Sequence, residues 1–177
     1  MAMKCMQYIE MRGWPVSRMS GTSKTALKNP LMIPPIIETL VMNRREEEAI
    51  KLVIELAQKL PPQVLASESL GIIKALPQEY KFKAAKTITE KLPPEEMARK
   101  VGDIIGGMPD KEAKLEVARL VVEKLPREML VVALGQVMGA LPDRKAKLLV
   151  LNGSVAGKLS EEDMKYVAWM LRVSNIV

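Results

Sequence analysis

Residues 91–110 read Lys91-Leu92-Pro93-Pro94-Glu95-Glu96-Met97-Ala98-Arg99-Lys100-Val101-Gly102-Asp103-Ile104-Ile105-Gly106-Gly107-Met108-Pro109-Asp110. Prolines bracket a run that contains no other proline. Proline at the first helical position loses no hydrogen bond, because that amide has no helical partner in any case. It also keeps the preceding Leu or Met out of right-handed helical backbone, so the previous helix stops there. The acids just behind each proline, Glu95 and Asp110, suit the positive pole of the helix that follows. Each Leu-Pro or Met-Pro step is therefore a stop and a start together.

The same mark recurs on both sides of this stretch. It appears as Leu60-Pro61, Leu76-Pro77, Leu92-Pro93, Met108-Pro109, Leu125-Pro126, Leu141-Pro142 and, with serine for proline, Leu159-Ser160, at spacings of 16, 16, 16, 17, 16 and 18 residues. Connections this short fold successive helices back antiparallel. The residue before the mark alternates. Lys59, Lys91, Lys124 and Lys158 precede one set, and Ala75, Gly107 and Ala140 precede the other. From like mark to like mark the repeat is 32, 33 and 34 residues. Segments 61–75, 93–107, 126–140 and 160–173 read as inner helices, with Gly71, Gly102, Gly106, Gly135 and Gly139 allowing close approach. Segments 44–59, 77–91, 109–124 and 142–158 are rich in Lys and Glu and read as outer helices.

Helical periodicity agrees. Ile50, Val53, Ile54 and Ala57 fall at spacings of three and four, as do Ala113, Val117, Leu120 and Val121. Residues 129–140 are apolar nearly all round, which predicts a helix buried on most sides. Asn152-Gly153-Ser154 are turn residues inside 142–158, so that helix is expected to break or end early. The reading is an all-α fold of antiparallel helix-hairpin repeats of about 33 residues, either α-solenoid-like or a compact helical bundle. Over residues 34–173 this architecture resembles the divergent α-helical repeat families, such as TPR and HEAT-like arrays. The TPR Trp-Leu-Gly-Tyr and ankyrin Thr-Pro-Leu-His patterns are absent, so the resemblance names no family. Residues 1–33 show no repeat and read as a basic, irregular N-terminal arm ahead of a 34–177 helical-repeat domain. Within the arm, residues 19–23 read as loop and Asn29-Pro30 as a short helical lead-in.

Composition limits the chemistry. The chain has 177 residues, no His and one Cys, and aromatics make up 3% of it. Without His there is no imidazole acid/base pair and no Ser-His or Cys-His nucleophile. A single Cys excludes an intrachain disulfide and a Cys-rich zinc site, and it suits a reducing, cytoplasmic setting. The longest uncharged run, Met129 to Pro142, spans 14 residues, shorter than a bilayer helix needs. The first residues lack the apolar run of a secretory signal. Few Asn and Gln beside abundant Lys and Glu give a thermophile-like composition, although 13 Met count against it.

Gly21-Thr22-Ser23-Lys24-Thr25 lacks the phosphate-loop spacing, and Gly102 to Gly107 closes a helix where a dinucleotide fingerprint would open one. The carboxylate runs Glu46-Glu47-Glu48, Glu95-Glu96 and Glu161-Glu162-Asp163 sit at helix starts, where the dipole accounts for them. Cys5 has only Lys4 as a near activator. No catalytic, cofactor or metal residues are therefore assigned, and the chain reads as non-enzymatic. Net charge is +6, and residues 1–45 carry seven basic residues against two acids.

Two functions follow from this. The first is a helical-repeat protein-interaction module with a protein partner. The alternative is nucleic-acid binding through the basic arm (Arg12, Arg18, Lys24, Lys28) and a lysine column on the outer helices (Lys51, Lys81, Lys114, Lys147). Tyr166 and Trp169, three apart near an apolar C-terminus, are candidates for homodimer contact through the last helix.

Overall fold

The computed structural model describes residues 19–173. It holds helices α1 (Met19–Lys28), α2 (Ile33–Met42), α3 (Glu46–Lys59), α4 (Pro62–Ala75), α5 (Gln78–Lys91), α6 (Pro94–Gly106), α7 (Lys111–Lys124), α8 (Arg127–Ala140), α9 (Arg144–Val150) and α10 (Glu161–Val173). A 3-10 turn, Pro30–Met32, precedes α2, and a π-helical turn, Leu151–Val155, continues α9. No strand occurs among the described residues.

The proline marks end the helices as steric reasoning requires. The C-cap leucines Leu60, Leu76, Leu92, Leu125 and Leu141 all have extended backbone, with φ between −87° and −70° and ψ between 131° and 151°. Each is buried, as are Met108 and Leu159. The proline itself sits one step earlier than the sequence suggests. Pro77 and Pro126 are N-caps, while Pro61 and Pro93 are N-caps that place Pro62 and Pro94 at the first helical position. After Pro109 and Pro142 the cap is an aspartate. Asp110 accepts from the Ala113 N–H and Asp143 from the Ala146 N–H, both at 2.8 Å.

Packing is between first and second neighbours along the chain. Helices α2, α4, α6, α8 and α10 stack in one layer, and α1, α3, α5, α7 and α9 stack in the other. The small-residue turns Ala75-Leu76-Pro77 and Gly107-Met108-Pro109 join helices that pack closely on each other. The lysine turns join helices that touch little. Hairpins α4–α5 and α6–α7 are thus an even helix, a small-residue turn and an odd helix, and they stack on each other, whereas the third small-residue turn, Ala140-Leu141-Pro142, joins helices that touch little. The core lies between the layers, with Leu56, Ile73, Ile88, Ile105, Leu125 and Leu134 among its fully enclosed side chains.

The loop reading of 19–23 is corrected. These residues open α1, Ala26 packs in the core, and Ser23 Oγ donates to Glu55 Oε1 at 2.8 Å. Apolar contact and a part-buried hydrogen bond outweigh the weak helix propensity of Ser, Gly and Thr. The reading of 129–140 as buried on most sides is corrected as well. Leu130, Ala133, Leu134, Val137 and Met138 are buried, but Val132 is 78% exposed because the even layer has an open outer face. Of the glycines expected to bring helices together, Gly71 does so against Pro34, whereas Gly106 and Gly139 have no neighbour within 4 Å of an added Cβ.

The turn before α3 lacks a proline and stops α2 by another device. The Arg45 N–H reaches the Leu40 carbonyl at 2.9 Å and the Arg44 N–H reaches that of Val41 at 2.9 Å, which is a Schellman closure. Its left-handed position is held by Arg44, at φ 57°. Arg44→Gly relieves roughly 1–2 kcal/mol of steric cost and adds roughly 0.5–1 kcal/mol of backbone entropy cost. The expected net is a gain of roughly 0.5–1 kcal/mol in urea unfolding. A loss of stability would show that the arginine side chain holds this turn.

Candidate interaction surfaces

Polar bonds join successive hairpins along the stack. Carbonyls at a helix C-terminus lack intrahelical donors and carry partial negative charge. Two of the lysines before the marks, Lys124 and Lys158, supply such donors to the hairpin below. Lys124 Nζ donates to the Thr89 carbonyl at 2.7 Å, at the end of α5. Lys158 Nζ donates to the carbonyls of Glu123 and Leu125, the latter at 3.3 Å, at the end of α7. Burial pushes the Lys124 ammonium below the usual lysine range, opposed by the charge of Glu90. Lys124 and Lys158 are therefore C-capping residues, whereas Lys59, at the first of the marks, pairs with Glu55 of its own helix at 2.6 Å.

Helix starts are tied in the same way. Gln78 Nε2 lies 3.4 Å from Asp110 Oδ2, and Lys111 Nζ lies 2.7 Å from Asp143 Oδ2. In the even layer Arg127 Nε donates to Asp163 Oδ2 at 2.6 Å, and its Nη2 donates to Ser160 Oγ at 2.9 Å. Ser160 and Asp163 also cap each other. The Ser160 N–H donates to Asp163 Oδ2 at 3.0 Å, and the Asp163 N–H to Ser160 Oγ at 3.2 Å. This capping box replaces the proline missing from the last mark, and the spacing of Ser160 and Asp163 could have revealed it.

The Arg127 bond, then the Ser160 bonds, hold the Asp163 carboxyl down to about 2. A depressed acid contributes stability above its unfolded value and loses it as pH falls through the folded value. Docking of α10 is therefore expected to loosen between about pH 4 and pH 2. Hydrogen exchange at α10 amides, compared with α6 amides, reads this directly. Asp163→Asn should remove the α10-specific step, and an unchanged step would assign the loosening to other carboxylates.

The lysine column is rearranged. Lys81, Lys114 and Lys147 are each the fourth residue of α5, α7 and α9, so they share one register, and all three are half-buried. Lys51 is the sixth residue of α3 and is exposed, two positions out of line. Its structural equivalents are Lys83, Glu116 and Leu149, a column of mixed character. Lys51 instead borders a groove of about 790 Å³ with Arg44, Arg45, Glu46, Glu48 and Tyr80, where Arg45 forms a two-pronged ion pair with Glu48 at 2.6 Å. Lys24 and Lys28 are exposed on α1, while Arg12 and Arg18 lie outside the described residues.

Tyr166 and Trp169 are 52% and 61% exposed on α10, with ring centroids 6.0 Å apart. Val167 and Leu171 are buried in the same helix, and Val173 is exposed. No group of acids and Cys that could hold a metal occurs among the described residues. No helix there is long and apolar enough to cross a membrane.

No family model matches the chain, and neither a curated protein nor a solved structure matches it. The functional reading rests on these surfaces. The carboxylate runs find local partners. Besides the Arg45–Glu48 pair, Arg99 lies 3.7 Å from Glu96 and Lys165 lies 2.9 Å from Glu161. These are solvated pairs, each worth little.

Proposed function

We propose that the chain is a non-enzymatic helical-repeat module that presents the faces of a stacked array to a protein partner. The packing of helices against first and second neighbours carries this reading, because such a stack leaves one face of each layer open along its length. Large apolar side chains stand on those open surfaces, including Val132, Leu148, Leu149 and Trp169. Affinity capture from native lysate after nuclease treatment tests the reading. A partner that co-purifies reproducibly, binds again from pure components and survives nuclease supports it. If no such partner is recovered, the reading falls.

Nucleic-acid binding is the second reading, favoured by the shared register of Lys81, Lys114 and Lys147 and by the net charge of +6. Glu112 and Glu116 interrupt the positive field of α7, and the three lysines are partly covered. Binding of a labelled single strand at low salt should weaken steeply as salt rises. It should also be lost in Lys81→Glu/Lys114→Glu/Lys147→Glu. Absence of binding at low salt removes this reading.

Self-association through α10 belongs to the first reading. Tyr166→Ser/Trp169→Ser should shift sedimentation toward monomer without unfolding, since both rings are already largely exposed. An unchanged distribution removes the homodimer.

A further inference from the structure

A groove of about 690 Å³ opens between α7 and the end of α9, lined by Arg119, Arg144, Lys145, Leu148, Leu149 and Asn152, with Gly153 beside them. Three features set it apart from the rest of the odd layer. First, its charge is of one sign. Arg119, Arg144 and Lys145 contribute three cations, no carboxylate lines the groove, and none of the three makes an ion pair among the described residues. Helices α3, α5 and α7 each carry an acid in the first turn, and α9 carries none. Arg144 and Lys145 therefore stand at the positive pole of their helix, where they do nothing for its stability.

Second, the floor is apolar at Leu149 where α3, α5 and α7 carry a charge. Leu149 occupies the register of Lys51, Lys83 and Glu116, and Leu148 is 40% exposed where its equivalent in α3, Ile50, is buried. Third, the backbone departs from the repeat at this point. Asp143 lies sixteen residues before Leu159, whereas Asp110 lies fifteen before Leu125. The surplus falls in a hairpin that contains a π turn, with the Ala156 N–H bonded to the Leu151 carbonyl at 2.9 Å. Turns of this kind occur often at functional sites.

We propose that this groove docks an acidic peptide segment carrying aliphatic side chains. The inference rests on the protein-interaction reading above and names the surface and the partner chemistry. Carboxylates of the segment meet the three free cations, and its aliphatic side chains cover Leu148 and Leu149. Unpaired cations beside an apolar floor match an acidic-aliphatic chain, which satisfies both at once. A phosphate backbone would satisfy the cations alone and leave the leucines wet. The groove also lacks an aromatic ring on which a base could stack.

The test uses the full chain and a short fluorescein-labelled peptide of alternating glutamate and leucine. A glutamate–serine peptide of equal charge and a single-stranded oligonucleotide serve as comparison probes. Anisotropy should show the glutamate–leucine peptide bound roughly tenfold more tightly than either comparison probe. Arg144→Glu/Lys145→Glu and Leu148→Ser/Leu149→Ser should each weaken it by roughly tenfold. The charge-matched control Lys83→Glu/Lys86→Glu, on α5 and outside the groove lining, should change it less than about twofold. Amide shift changes in the isotopically labelled chain should centre on Arg119 and residues 144–153, a readout that needs no variant.

Equal binding of the serine peptide or the oligonucleotide overturns the proposal, as do shifts spread over the whole surface. Loss of binding in the α5 control equal to that in the groove variants does so too. If a captured protein partner is retained by both groove variants, the groove proposal falls while the interaction reading stands. If the peptide maps to the groove but no protein partner is found, the interaction reading fails instead.

Discussion

Leu125→Ala is expected to destabilise the chain by about 3 kcal/mol, within the roughly 2–5 kcal/mol usual for a fully enclosed leucine. Leu125 is wholly buried at the end of α7. Its backbone is already fixed at both ends, because the N–H donates to the Val121 carbonyl at 2.9 Å and the carbonyl accepts from Lys158. The site cannot collapse around a smaller side chain without giving up those bonds, so most of the cavity should persist. Alanine before Pro126 keeps the extended backbone that proline demands, so the loss reports packing and leaves the helix stop intact. Urea unfolding followed by circular dichroism measures it, with the slope unchanged and the midpoint lowered. A loss below about 1 kcal/mol would show that the turn leucines are spacers and that the proline alone makes the mark.

That experiment bears on how much of the fold could be read from the residues. The steric half of the mark was legible, because a proline constrains its predecessor in any context. So was the doubled period, since Lys59, Lys91, Lys124 and Lys158 alternate visibly with Ala75, Gly107 and Ala140. The capping role of Lys124 and Lys158 was not legible. Lys124 meets the Thr89 carbonyl 35 residues away, and only the stacking of hairpins brings the two together. Register failed at Lys51 for a related reason. Matching apolar neighbours aligned it with Lys81, but α3 and α5 have equal length and end on the same Leu-Pro mark, which puts Lys51 in the register of Lys83. Helix α1 was missed because its anchoring is tertiary. Ala26 and Ser23 find their partners on other elements, and the local run of Ser, Gly and Thr gives no warning of that. The groove at α7 and α9 was not legible, because nothing in the sequence draws Arg119, Arg144 and Lys145 together with Asn152-Gly153. What it also lacked was the exposure of Leu148 and Leu149 beside them.

Adjacent glycines at the end of α6 should respond in opposite directions, which tests the even layer at the resolution of one methyl group. At Gly107 an added Cβ would stand 2.8 Å from Ile73 Cγ2 and 3.4 Å from Ile73 Cβ. Ile73 is fully buried and stiff at its first torsion, so it has little freedom to withdraw. Gly107→Ala should therefore cost about 1–3 kcal/mol through overpacking. The backbone is not the cause, for Gly107 lies in the right-handed region, at φ −72° and ψ −12°. At Gly106 an added Cβ meets nothing within 4 Å. Gly106→Ala should gain about 0.5–1 kcal/mol by restricting the unfolded chain. Because both sites share one helix end, solvent and flanking sequence, the difference between them isolates contact with α4. Thermal unfolding of the two variants should bracket the parent chain, with Gly107→Ala below it and Gly106→Ala above. If both fall below, the exposed glycine serves something other than packing, and the open face of the even layer becomes the next place to look for a partner.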